Sequence, residues 1–80
     1  MHYLCFAVKN ILTEMFDGIF LYPNEKVASV DLASVFSKKA GGLDEYELYR
    51  VGRFDLSDAE LVPTSAVPVA WDERRLTAES

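Results

Sequence analysis

The side chains suited to chemistry in this 80-residue chain are few and scattered. Cys5 is the only cysteine and His2 the only histidine. Three residues apart on one strand, they project from opposite faces, so His2 is badly placed to act as a base for Cys5. One cysteine and one histidine make neither a zinc set nor an internal disulfide. Cys5 therefore reads as a small apolar strand residue. Carboxylates gather twice, as Asp44-Glu45-Glu47 and as Asp55-Asp58-Glu60. Paired carboxylates suit proton transfer or a bound cation. Neither group follows a calcium-loop spacing, and both read as solvated turns. Gly41-Gly42 lacks the lysine and hydroxyl of a phosphate loop, and no strand immediately precedes it, so it reads as the end of a helix. With no nucleophile–base pair and no metal set, the expectation is a protein without catalytic chemistry or cofactor.

Two segments have the residue types of a nucleic-acid contact. In Tyr49-Arg50-Val51-Gly52-Arg53-Phe54, aromatic and basic residues interleave on a strand. Single-strand binders combine aromatic platforms with cations, although this order does not match the RNA-recognition strand signature. Ordinary strand packing with exposed arginines is the competing reading. The second segment sets Trp71 beside Arg74 and Arg75. Such a tail can fold onto a partner or a phosphate backbone, but Asp72 and Glu73 weaken its positive field. The competing reading docks Trp71 on the body with the arginines extended into water. The candidate contact residues are thus Tyr49, Arg50, Arg53, Trp71, Arg74 and Arg75. The formal charge of −5 opposes tight nonspecific DNA binding, unless the charges segregate to leave a local basic face.

Residues 2–8 are rich in strand formers and predict a strand covered on both sides. Lys9-Asn10 begins a turn, and 11–15 reads as a loop or a short helical turn. Phe16-Asp17-Gly18 bends the chain into a second strand, Ile19 to Tyr22, which Pro23 closes. Asn24 is a helix N-cap and Glu25 suits the first turn. Ala28, Leu32, Val35 and Phe36 mark one face of a helix running from Glu25 to Lys39. Val27 and Val30 fall off that face, towards a loop or a second subunit. Tyr46 to Phe54 is the strongest strand. Strict alternation puts Tyr46, Leu48, Arg50 and Phe54 on one side and Glu47, Tyr49, Val51 and Arg53 on the other, with Gly52 a place for a bulge that re-aims Phe54. Asp55 to Asp58 turns the chain into a shorter fourth strand, Ala59 to Val62. Pro63 and Pro68 keep the extended stretch after it at a sheet edge or off the sheet.

The expected fold is α+β: an antiparallel sheet of about four strands with one helix packed on one face, in the order ββαββ, followed by an extended C-terminal tail. Residues 1–71 form a single domain and 72–80 a flexible tail. One helix covers one face of the sheet, so aromatic surface on the other side suggests a homodimer. Half the residues are hydrophobic and ten are aromatic, a globular composition. No segment approaches the ~20 apolar residues of a membrane span. No signal peptide is evident, which with the lone cysteine suggests a cytosolic chain.

The order of these elements is similar to that of the small nonstructural protein of gokushovirus-type microviruses, bacteriophages with small circular single-stranded DNA genomes. The resemblance spans roughly residues 1–63. It rests most on Leu48-Tyr49-Arg50-Val51-Gly52 followed by Phe54-Asp55, with Phe20, Asn24, Val27-Ala28 and the hairpin return at Leu61 in matching order. Family members often carry an arginine in mid-helix, where this chain has Val30-Asp31, and a Thr-Gly pair in the last hairpin turn, where it has Ser57-Asp58-Ala59. The missing arginine removes support for a basic helix face. The resemblance implies a non-capsid protein of the infected bacterial cytoplasm that assists single-stranded genome synthesis or packaging. It implies no catalytic residues.

Two functional expectations follow. One is a non-enzymatic accessory to phage DNA synthesis or packaging that binds single-stranded DNA or the replication protein. The other is a homodimeric interaction module that modulates a viral or host protein without touching DNA.

Overall fold

In the computed structural model, which describes residues 1–74, the chain runs β1 (His2–Asn10), β2 (Met15–Tyr22), α1 (Glu25–Ser37), a single 3-10 turn (Gly42–Glu45), β3 (Tyr46–Asp55) and β4 (Leu61–Val69). The strands pair antiparallel in the order β2-β1-β3-β4. This is the α+β, ββαββ arrangement read from the sequence. β1 and β3 lie at the centre, and β2 and β4 form the rims.

The two outer strands differ from expectation. β2 begins at Met15, four residues before Ile19. The Asn10 carboxamide oxygen accepts hydrogen bonds from the Leu12 and Thr13 N–H groups at 2.9 and 3.2 Å, and Glu14 takes a φ of +59°. That closes the β1–β2 connection over residues 11–14 and leaves Phe16 free to pair with Lys9. The predicted bend at Phe16-Asp17-Gly18 survives as a bulge inside the strand. Gly18 and Ile19 together oppose Ala7, with Gly18 at φ +75°. β4 does not stop at Val62 but continues through Pro63 and Pro68 to Val69. A rim strand uses only one side of its backbone for the ladder, which is where a strand tolerates proline.

α1 starts as predicted. The Asn24 side chain accepts from the Val27 N–H at 2.9 Å, with Glu25 in the first turn. Its buried stripe is Ala28, Ser29, Leu32, Ala33 and Phe36. Val35, expected on that stripe, is 47% exposed on the flank. Small residues at 28, 29 and 33 let the helix lie close to the sheet, so Leu32 and Phe36 carry the contact. The helix ends at Ser37 rather than Lys39, its last hydrogen bonds tightening from Lys38 N–H to the Val35 carbonyl and Lys39 N–H to that of Phe36. Gly41 and Gly42, at φ +87° and +61°, then reverse the chain.

Phe6, Val8, Leu32, Phe36 and Leu48 make the core, with Leu4, Phe20, Tyr22, Tyr46, Val69 and Trp71 packed around it. Phe36 meets Phe20 edge-on at 6.0 Å, Tyr46 at 4.9 Å and Trp71 at 6.3 Å between ring centroids. The Tyr22 hydroxyl donates to the Asp31 carboxylate at 2.5 Å. Burial, then that carboxylate, push the Tyr22 pKa up to about 12. After β4 the chain folds back on the helix. The Trp71 indole N–H donates to the Tyr46 carbonyl at 3.0 Å, and the Asp72 N–H to that of Ser29 at 3.4 Å.

Candidate functional site

β3 decides where the candidate contact residues go. Phe6 pairs with Arg50 and Cys5 with Gly52, which leaves Val51 as an extra, bulged residue. Before the bulge, Tyr46 and Leu48 pack under the helix and Tyr49 points away from it. After it, Arg53 lies opposite Leu4 and Phe54 opposite Tyr3. Leu4 belongs to the helix-side packing, so Arg53 shares the side of Arg50, while Phe54 joins Tyr49 on the open side. This reverses the strict alternation expected for Arg53 and Phe54; the re-aiming of Phe54 expected from a bulge near Gly52 is what occurs. The interleaved aromatic and basic residues of Tyr49–Phe54 are therefore sorted onto opposite faces. No strip combines them.

Two of the three candidate arginines among the described residues are engaged. Arg50 forms an ion pair with Glu25 of the first helical turn. Arg53 is exposed and has no ion pair among the described residues. Arg74 binds its neighbour Asp72, with Arg74 Nη2 2.8 Å from the carboxylate. That contact lowers the Asp72 pKa and raises that of Arg74. Trp71 is docked against Phe36 and Tyr46, the competing reading for that residue. Arg75 lies outside the described residues, as do the other tail positions from 75 to 80.

The acidic groups serve the turns. Asp55 accepts from the Ser57 N–H at 2.8 Å and from its hydroxyl at 2.6 Å, and Asp58 accepts from the Glu60 N–H at 2.9 Å. Ser57 holds the Asp55 pKa below its usual value. Among the described residues no three His, Cys, Asp or Glu side chains gather to hold a metal ion. Cys5 is buried on β1, and burial raises its thiol pKa, away from the reactive thiolate.

What the fold does assemble is an apolar surface on the sheet face opposite α1. Pairing puts Leu21 beside Cys5, Phe16 beside Lys9, Tyr49 beside Ala7 and Pro68, and Phe54 between Tyr3 and Leu61. Phe16 and Tyr49 meet edge-on at 5.6 Å. Ile19, Leu61, Phe16 and Leu21 are 67, 53, 50 and 42% exposed. The charges of this face lie at one end, where Lys9 and Glu47 are direct cross-strand partners. Glu47 also accepts from the Tyr49 hydroxyl at 3.1 Å, which raises the pKa of that tyrosine. Of the sequence candidates among the described residues, only Tyr49 belongs to this surface. Phe16, Ile19, Leu21 and Leu61 were missed as site residues, although residues 11–21 of the sequence already hold more apolar side chains than one helix can cover.

No helix among the described residues is long and apolar enough to cross a membrane. No family model matches the chain, and no curated protein or solved structure matches it.

Proposed function

We propose that this chain is a non-enzymatic nonstructural protein of a small circular single-stranded DNA phage, and that it assists genome synthesis or packaging through protein contacts made by the open sheet face. The observation that carries the mode of action is that face: Phe16, Ile19, Leu21 and Leu61 stand in water, the charges of the face, Lys9 and Glu47, lie at the one end beside Phe16, and isolated monomers seldom leave such a surface bare. The phage assignment is supported by the resemblance of Leu48–Asp55, which forms a central strand paired on both sides. Contact through protein is favoured over direct DNA binding because Arg50 and Arg53 lie behind the aromatic residues and Arg50 is already paired.

The test is a stop codon in this reading frame within the encoding phage genome, with single-stranded and double-stranded viral DNA quantified in infected cells. The expected result is loss of single-stranded genomes, with the double-stranded form retained and no copy of the chain in purified particles. Unchanged single-stranded DNA, or stoichiometric chain in the virion, would reject the proposal.

A further inference from the structure

We infer that the occupant of the open sheet face is a second copy of this chain, packed sheet against sheet. This rests on the reading of that face as an interface and names its partner. The molecule is only 16 Å through its thinnest axis. That accommodates two layers, sheet and helix, and among the described residues the sheet lacks the third layer that usually closes an apolar face. Four strands at ~4.8 Å spacing and about nine residues at ~3.3 Å rise make a face of roughly 19 by 30 Å. Two copies bringing these faces together bury on the order of 1,200 Å² in total, the lower end of a standard stable interface. The face thus has the size a small dimer needs without any other element.

Its charge pattern fits self-association better than a charged partner. Each chain carries −5 overall, yet the middle of this face holds Cys5, Ala7, Leu21, Gly52 and Tyr49. Two acidic molecules can therefore meet here without opposing like charges at the centre. Lys9 and Glu47, at one end of the face, are of opposite sign, so a two-fold pairing can set the lysine of one copy near the glutamate of the other. The centre is closed over by its own neighbours, with Cys5 and Ala7 buried, while Phe16, Ile19 and Leu61 rise around it. Projecting apolar residues around a small-residue centre give aligned sheet packing its interdigitation.

Sedimentation velocity on the full chain, from micromolar to sub-millimolar concentration, tests this. The wild type is expected to dimerise across that range. Ile19→Lys is expected to weaken the dimer at least tenfold, while Val35→Lys on the exposed helix flank leaves it unchanged. Because a variant can fail to fold, methyl chemical shifts of the wild-type chain are followed over the same dilution. Shifts confined to Ile19, Leu21 and Leu61, with Val27 and Val35 static, support the inference. A monomer throughout, a dimer indifferent to Ile19→Lys, or shifts confined to the helix valines overturns it. A monomeric chain that still needs Ile19 for single-stranded DNA yield would overturn the dimer alone and leave the functional proposal standing.

Discussion

Replacing Gly52 by alanine is expected to destabilise the protein by about 1–2 kcal/mol, although glycine is a poor strand residue. An alanine Cβ would stand 2.6 Å from the Val62 carbonyl oxygen and 3.2 Å from the Pro63 Cα, both backbone atoms of β4. Carbon–oxygen contacts relax at about 3.3 Å or more, so β4 would have to retreat by about 0.7 Å. Overpacking costs about 1–3 kcal/mol, and an overlap with backbone, which no side-chain movement relieves, belongs in the upper part of that range, about 2–3 kcal/mol. Removing a strand glycine returns up to about 1 kcal/mol, which leaves a net loss of about 1–2 kcal/mol. The difference corresponds to a fall in Tm of roughly 4–16 °C for a domain of this size. Urea and thermal unfolding by circular dichroism, with both proteins at one fixed concentration, measure it. Hydrogen exchange adds a local signature: the Asp55 amide, bonded to the Glu60 carbonyl at 2.9 Å, should exchange faster in the variant. Gly42→Ala is the control, because its Cβ would meet nothing nearer than the Ser37 carbonyl at 3.9 Å and its cost of roughly 1–2 kcal/mol comes from the positive φ alone. A Gly52→Ala protein as stable as wild type, with unchanged exchange at Asp55, would refute the close β3–β4 approach.

Leu32→Ala removes a fully buried side chain at the centre of the helix–sheet contact, and the expected loss of about 2–5 kcal/mol rivals the whole stability of so small a domain, so chemical denaturation should find it largely unfolded. Glu25→Ala frees Arg50 but should cost under about 1 kcal/mol by the same assay, since both partners of the pair are partly exposed. Above pH ~10 an unfolded tyrosine loses its proton while Tyr22, at about 12, keeps it, so the native state binds more protons and stability falls as pH rises from 10 to 12; Tyr22→Phe should flatten that part of a pH–stability curve. Trp71→Phe leaves the Tyr46 carbonyl without its indole donor and should destabilise by about 1–2 kcal/mol, measured by urea unfolding.

The helix start, the central strands and the order of the elements were legible because each rests on local rules. Asn24 caps where a short polar side chain precedes a helical stripe, and the apolar runs at 2–8 and 46–54 could not lie in water. What escaped was decided by pairing. β2 starts early because Asn10 closes a short turn through its side chain, which leaves residues from Met15 onward beside β1. β4 runs through two prolines because no described residue pairs with its outer side, a fact no single segment reveals. Val35 loses its place on the buried stripe because Ser29 and Ala33 let the helix settle with those residues inward. The candidate site was the hardest to read for the same reason. Period-two alternation placed Arg53 with Tyr49, and one extra residue at Val51 exchanged the sides of everything after it. Gly52 announced a bulge, but only the register with β1 shows that it parts the arginines from the aromatic residues.

On the proposed function, the chain works through its open apolar face and not through its arginines. Restoring single-stranded viral DNA in cells infected with the stop-codon phage, using Ile19→Lys or Arg53→Ala supplied in trans at equal levels, tests it most directly. Both substitutions fall on exposed side chains and spare the core. Arg53→Ala is expected to restore single-stranded DNA to the wild-type level and Ile19→Lys is not. Full rescue by Ile19→Lys together with failure of Arg53→Ala would contradict it.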